Sequence, residues 1–544
     1  MCMKTVNRPV LMLLFVLIVV MNLGANGEGE QGTLPPHSEE ALDPNVPGWT
    51  LDTSPVQFDW YLNFSWFRGI WGEDPVSRYV TEKTGVDIQF IIPAGNEADK
   101  LNTMIASGSL PDFITLGWWE PQVKEIIAGE MAHPLDVLAE NYDPYFFKVA
   151  VPERLGWYTQ DDGHVYSYPN ASYSPRDYDL YDLTSNQTFL VRKDLYEGIG
   201  SPDMRTPEGF LGALREAKRQ YPQINGQPIL PLGLHEFTDA GNYSLESFLM
   251  NFLAIPLEKE GQFYDRYADP EYKKWLNVFR QAQSEGLISN DVYLDRRAQM
   301  EEKIAQGRYF AMLYQHSDMT DAQAIRYSED PNSIYIAVNG PANSNLDPPR
   351  LAGQGLSGWT VTFISKSVKK PERAIRFMSY LMSEEGQRDL YLGIEGVTWS
   401  EVDGKQGFLP EVQELLNSDR AAFDKEYGAS VKYWMLMDNP MFAQWEGEPV
   451  TPYKELSAWT KPYTVSYAMY DNTDPQPFEP EGIIGAKISA LFGKTLPKLL
   501  KAETQSEFNT LWEEMQEQRK NLGLETLMAY KQERINANKA KLGL

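Results

Sequence analysis

Residues 86–119, VDIQFIIPAGNEADKLNTMIASGSLPDFITLGWW, set the pattern from which the chain is read. A β-branched run over 86–92 predicts a buried strand. Asn96 stands where a helix cap belongs, Leu101, Met104 and Ile105 share one helical face, and Gly108 ends the turn. A second apolar run over 112–116 predicts another strand, opening into Gly117, Trp118 and Trp119. Two strands joined through a helix run parallel with a right-handed crossover. Residues 56–62 predict a strand and 75–84 a helix stopped by Gly85, so the chain begins β-α-β-α-β, the order of an α/β sheet. Ligands of such sheets lie beyond the carboxyl ends of the strands. Trp66, Trp118 and Trp119 all fall at that edge.

The alternation continues past residue 160. Strands are predicted at 164–168, 187–192, 229–232, 309–313, 335–338 and 359–364. Between them lie helical periods over 122–128, 194–199, 206–220, 245–254, 270–285 and 296–306. Thr206 followed by Pro207 is a strong helix start. The segment 170–185 is rich in Tyr, Asp and Ser, has neither period, and reads as a crossing out of the first lobe. Residues 506–542 read as helix broken near Gly523, and Lys531 to Lys541 as a solvated charged face.

Length and charge narrow the field. A chain of 544 residues exceeds one core, so at least two large domains are expected. With 76 acidic against 49 basic residues and a net charge of −27, nucleic acid and anionic membranes are excluded as partners. Lys4 and Arg8 precede an apolar run at 10–21 and the small residues Gly24, Ala25 and Gly27, an export signal over 1–27; an uncleaved anchor is the alternative. Cleavage would remove the sole cysteine, Cys2, so neither disulfides nor thiolate metal sites are expected. Residues 28–54, rich in Gly, Pro and acid, read as a flexible tether.

Catalytic motifs are sparse: no GxSxG, no HExxH, no phosphate loop, and five histidines without ligand spacing. No cofactor or metal is expected. A glycoside hydrolase needs a carboxylate pair across a cleft, which any chain this acidic can nominate, so nomination carries no weight. The 14 Trp and 30 Tyr serve either a large core or stacking surfaces for sugar rings.

Four fragments occur in order: Glu82-Lys83-Thr84-Gly85, Ala106-Ser107-Gly108-Ser109-Leu110-Pro111-Asp112, Val191-Arg192-Lys193-Asp194-Leu195-Tyr196 and Gly393-Ile394-Glu395-Gly396. A fifth run leads from Pro371-Glu372-Arg373-Ala374 to Glu384-Glu385-Gly386. Together they resemble the family 1 extracellular solute-binding proteins of bacterial ABC importers, in particular the large oligosaccharide-uptake branch. The resemblance implies a two-lobed α/β, periplasmic-binding-protein-like fold (type II) with three hinge crossings and a helical C-terminal extension. Mapped here, it implies a first lobe of 55–168 plus 341–366, a second of 186–335 plus 371–544, and crossings near 169–185, 336–340 and 367–370. It further implies a non-enzymatic, exported, monomeric protein that delivers an oligosaccharide to membrane permease subunits. A secreted glycoside hydrolase and a sugar-binding signalling co-receptor stay open. The lipobox cysteine of the branch is replaced by Asn26, which puts a lipid anchor in doubt. Where relatives carry a calcium loop, Gln223-Ile224-Asn225-Gly226-Gln227 offers no carboxylate.

Candidate ligand contacts are Trp66, Trp118 and Trp119 at the first-lobe edge, Trp359 beside them if its strand runs antiparallel, and Tyr168 and Asn170 at the first crossing. Tyr314 and Gln315 follow a second-lobe strand, and Glu395 and Trp399 flank the glycine-rich fragment. His235, Trp434 and Trp445 read more readily as interior residues.

Overall fold

The structure, a computed structural model, describes residues 42–181, 183–446 and 452–544. The export signal 1–27, Asn26 and the start of the tether lie outside the described residues.

Eleven strands organise the two lobes: β1 (Val56–Leu62), β2 (Val86–Ile91), β3 (Phe113–Gly117), β4 (Ser167–Pro169), β5 (Gln187–Arg192), β6 (Leu230–Gly233), β7 (Tyr309–Gln315), β8 (Tyr335–Ala337), β9 (Leu351–Gly353), β10 (Thr360–Ile364) and β11 (Thr464–Ser466). The first sheet has the order β2-β1-β3-β10-β4 and the second β8-β5-β7-β6. β1 pairs parallel with β2 and β3, as the crossover rule requires. β10 enters antiparallel, with Thr360 opposite Gly117, so Trp359 arrives at the carboxyl end of β3. Inside the first sheet Trp60 stacks on Phe113 at 4.8 Å and donates from Nε1 to Thr115 Oγ1 at 2.8 Å, so even its polar edge is satisfied.

The helices between these strands start and stop by local chemistry. In α1 (Pro75–Thr84) the Asp74 carboxylate accepts from Ser77 N–H at 2.8 Å, and Gly85 closes the helix at φ 73°. Helix α2 (Glu97–Ser107) departs from expectation at its start: Asn96 makes no capping bond and its amide goes to Asp99 Oδ2 at 2.6 Å. In the second lobe the Thr206 cap forms as the sequence predicts, accepting from Gly209 N–H at 3.1 Å. Helix α3 (Arg297–Ala305) buries Met300 and Ile304 in the second-sheet core.

The boundaries between lobes differ from the sequence-based map in four places. Trp49, within the expected tether, is buried between Tyr145 (5.3 Å) and Tyr380 (5.6 Å), because an indole gains more from that slot than from water. Residues 341–350 stay with the second lobe: Ala342 accepts from Trp275 Nε1 at 2.8 Å and donates to Arg205 O. Helices α4 (Pro371–Met382) and α5 (Glu384–Tyr391) pack on first-lobe elements, not the second. Arg373 in α4 donates to the carbonyls of Ser54 (2.7 Å) and Thr84 (2.9 Å), which ties it there. Phe442 still packs in a first-lobe aromatic group with Tyr391, and Leu456 packs in the second-sheet core.

β9 and β11 form a parallel ribbon between the lobes, and Ser185 is tied to it through Ala352 O (2.6 Å) and Thr464 Oγ1 (2.8 Å). Helices α6 (Pro480–Lys501), α7 (Gln505–Asn521) and α8 (Leu524–Lys541) complete the second lobe, Gly523 turning the chain at φ 104°. The charged end of α8 is more than a solvated face. Ile535 is fully buried, Lys539 pairs with Glu258 at 2.6 Å, and Asn538 donates to the carbonyls of Met469 (3.1 Å) and Asp471 (2.7 Å) beside β11.

Candidate ligand cleft

Beyond the carboxyl end of β1 the chain reads Asn63-Phe64-Ser65-Trp66, and four rings meet there. Trp66 lies nearly parallel to Trp359, with centroids 6.0 Å apart and planes at 9°. Trp434 sits 5.5 Å from Trp66 and 4.5 Å from Trp359, while Phe64 abuts all three indoles. Trp66 and Trp359 are half-buried, whereas Trp434 is 5 % exposed and backs them. Trp434 is held by the first crossing, whose Asn170 donates from Nδ2 to its carbonyl at 2.9 Å.

A polar floor adjoins the rings. Glu120 accepts from Gly117 N–H at 2.8 Å and from Asn63 Nδ2. The Tyr61 hydroxyl donates to Asn63 Oδ1 at 2.7 Å, and Glu97 Oε1 accepts from Ser65 N–H at 3.0 Å. Burial, with the Glu97 charge adding to it, pushes the Glu120 carboxyl up to about 7. The group thus presents carboxyl oxygens beside apolar ring faces, the complements of the hydroxyls and the C–H face of a polyol ring.

The second lobe answers from α3. The Arg297 guanidinium carbon stands 5.8 Å from the Trp66 ring, while Nη2 pairs with Asp318 (2.8 Å) and Nε with Glu301 (2.8 Å). Asp318 also accepts from the Tyr314 hydroxyl at 3.0 Å. His235 lies 4.3 Å from the Tyr314 ring, and burial lowers its pKa to about 4, which keeps it neutral.

The sequence-predicted residues therefore separate. Trp66 and Trp359 join one platform. Trp119 is 53 % exposed at the same sheet edge, edge-on to the half-buried Trp118, which leans on the first-sheet core. Tyr168, Asn170 and Tyr314 are interior: Tyr168 Oη accepts from Val151 N–H at 2.9 Å and Asn170 Oδ1 from Thr360 N–H at 2.7 Å. Tyr314 and Gln315 lie within β7 rather than after it, Gln315 half-buried opposite Gln187. Glu395 is exposed, and Trp399 is buried in a separate aromatic group with Tyr391, Phe442 and Trp445, its Nε1 donating to Gly393 O. Sequence reasoning did not single out Asn63, Glu97, Glu120, Arg297 or Asp318, which the fold gathers here, and Trp434 is interior, as its sequence reading has it. Glu120 directly follows the Trp118-Trp119 pair, a signal within reach; Arg297 has none, since only the fold brings it over Trp66.

Two α/β lobes on a hinge ribbon, with facing side chains at the strand ends, define a two-lobed binding protein. The family described as bacterial extracellular solute-binding protein matches residues 63–388, and the chain belongs to it. Among curated relatives, a polygalacturonan/rhamnogalacturonan-binding protein of Bacillus subtilis is 20% identical over 415 residues, covering 72% of this chain and 74% of its own. A fructooligosaccharide ABC transporter substrate-binding protein of Streptococcus pneumoniae is 24% identical over 243 residues, 41% of this chain and 43% of its own. Among solved structures, the alginate-binding protein AlgQ2 without calcium ion superposes with a TM-score of 0.66 at 18% identity, over 89% of this chain and 98% of that one. The S. pneumoniae substrate-binding protein in complex with kestose gives 0.65 at 17%, over 89% and 100%. No helix among the described residues is long and apolar enough to cross a membrane.

Proposed function

We infer that this protein captures an oligosaccharide between its lobes and hands it, chemically unchanged, to the permease subunits of a bacterial ABC importer. The observation that carries the reading is the Trp66–Trp359–Trp434 platform at the carboxyl end of the first sheet, faced by Arg297 from the other lobe. Indole faces accept the C–H face of a sugar ring, and the adjoining carboxyl and amide groups accept or donate to its hydroxyls. A ligand touching both lobes binds the closed form more tightly than the open one, and that difference draws the hinge shut. Family membership and the sugar-binding relatives support the same reading, as they do export to the cell surface.

The test is incubation of the purified protein with plant-wall, starch and fructan oligosaccharides, following the thermal midpoint and the sugars themselves. A binder raises its midpoint with one class and leaves that sugar intact after prolonged incubation. Accumulating shorter products would replace this reading with a glycoside hydrolase.

A further inference from the structure

The first lobe holds two carboxyl groups and two unsatisfied donors at the aromatic platform. Glu97 and Glu120 each keep lone pairs beyond the bonds they accept from Ser65 N–H, Gly117 N–H and Asn63 Nδ2. Trp434 is 95% enclosed, yet its Nε1–H meets no acceptor, and the same holds for the Thr360 hydroxyl on the strand behind Trp359. A buried donor of this kind is rarely left without a partner, so the position fits an incoming oxygen.

The charges point the same way. The guanidinium that reaches Trp66 from the second lobe is engaged by Asp318 and Glu301 together. Arg68, on the loop after β1, turns its Nη1 to the carbonyls of Ser65 and Phe67. His235, behind Tyr314, is held neutral by burial. A ligand carboxylate would thus meet Glu97 and Asp318 with its natural counter-charge already paired, whereas a hydroxyl finds acceptor oxygens.

We propose that the cleft selects an uncharged glycan, whose ring faces lie on Trp66 and Trp359, whose hydroxyls donate to Glu97 and Glu120, and one of whose oxygens accepts from Trp434 Nε1. The inference rests on the oligosaccharide-capture reading and narrows it. It sets this chain apart from a relative named for polygalacturonan.

The experiment pairs neutral oligosaccharides of fructan, starch and plant-wall origin with oligogalacturonates of matched length, at low and high salt, by thermal shift and calorimetry. The expected result is a raised midpoint with a neutral sugar and none with the uronates at either salt. Trp434→Phe, which keeps a ring and removes the N–H, is expected to weaken the neutral sugar about fivefold or more, the worth of one hydrogen bond. A larger shift with oligogalacturonate overturns the charge inference and leaves capture standing. Unchanged affinity in Trp434→Phe overturns the indole contact. No shift with sugars of either kind overturns the capture reading and this inference with it.

Discussion

Asp438→Ala tests what holds the aromatic platform in place. Arg154 and Asp438 are 4% and 8% exposed and join through Nη1–Oδ2 at 2.6 Å and Nη2–Oδ1 at 3.1 Å. The second nitrogen also donates to Ser172 O at 2.9 Å, so helix Pro152–Tyr158, the first crossing and the Trp434 segment meet at one guanidinium. Removing the carboxylate strands a buried positive charge, which costs about 3–5 kcal/mol. It also removes the cap that Asp438 places on Met441 N–H, worth about 1 kcal/mol. Urea titration at neutral pH measures the combined loss of about 4–6 kcal/mol, and thermal unfolding should fall by about 8–24 °C, at about 2–4 °C per kcal/mol for a lobe-sized unit. The double variant Arg154→Met with Asp438→Leu loses the cap but leaves no unpaired charge, so it should lose only about 1 kcal/mol. If Asp438→Ala costs less than about 1 kcal/mol, or the double variant is as damaged as the single one, the reasoning fails.

Three further outcomes are expected. Burial lifts the carboxyls of Glu120, Glu246 and Asp471 to about 7, above their unfolded values, so the stability they contribute is complete at low pH and is lost as pH rises through 7; buried His133 and His235, lowered to about 4, act oppositely but only below their unfolded value of 6.5. The thermal midpoint should therefore fall between pH 6.5 and 8, less so in Glu120→Gln with Glu246→Gln, and a midpoint rising across that window would contradict the burial argument. Gly358 has φ 68° and a Cβ there would meet Asn170 O at 2.1 Å, so Gly358→Ala should cost about 2 kcal/mol or more in urea titration and disturb sugar binding at the adjacent Trp359. Deleting residues 538–544 removes the Asn538 and Lys539 bonds to the hinge and to Glu258, together with Lys541, whose Nζ donates to Trp157 O of the first lobe at 3.4 Å. Faster amide exchange at 464–471 should follow, and unchanged protection there would show that α8 does not brace the hinge.

Local pattern determined a good deal of this protein. Strands 56–62 and 187–192 and helices 75–84 and 207–220 stand where periodicity, caps and glycine stops put them, because those signals act within a few residues. The crossover rule likewise put Trp66 and Trp119 beyond the carboxyl ends of the first-sheet strands, since a βαβ unit has only one hand. Tertiary structure alone decided which residues cross between lobes. Pro371–Met382 is buried on nearly every side, and its own apolar pattern says that it packs on a core without saying on which of the two sheets. It decided Trp434 as well, far from Trp359 in sequence but packed against it at 4.5 Å because Asn170 and Arg154 pin its segment. Arg297, paired with Asp318 inside the second lobe, stands over Trp66 only because the two sheets face each other. A cleft between lobes is a meeting of distant segments, and no window of sequence holds both of its walls.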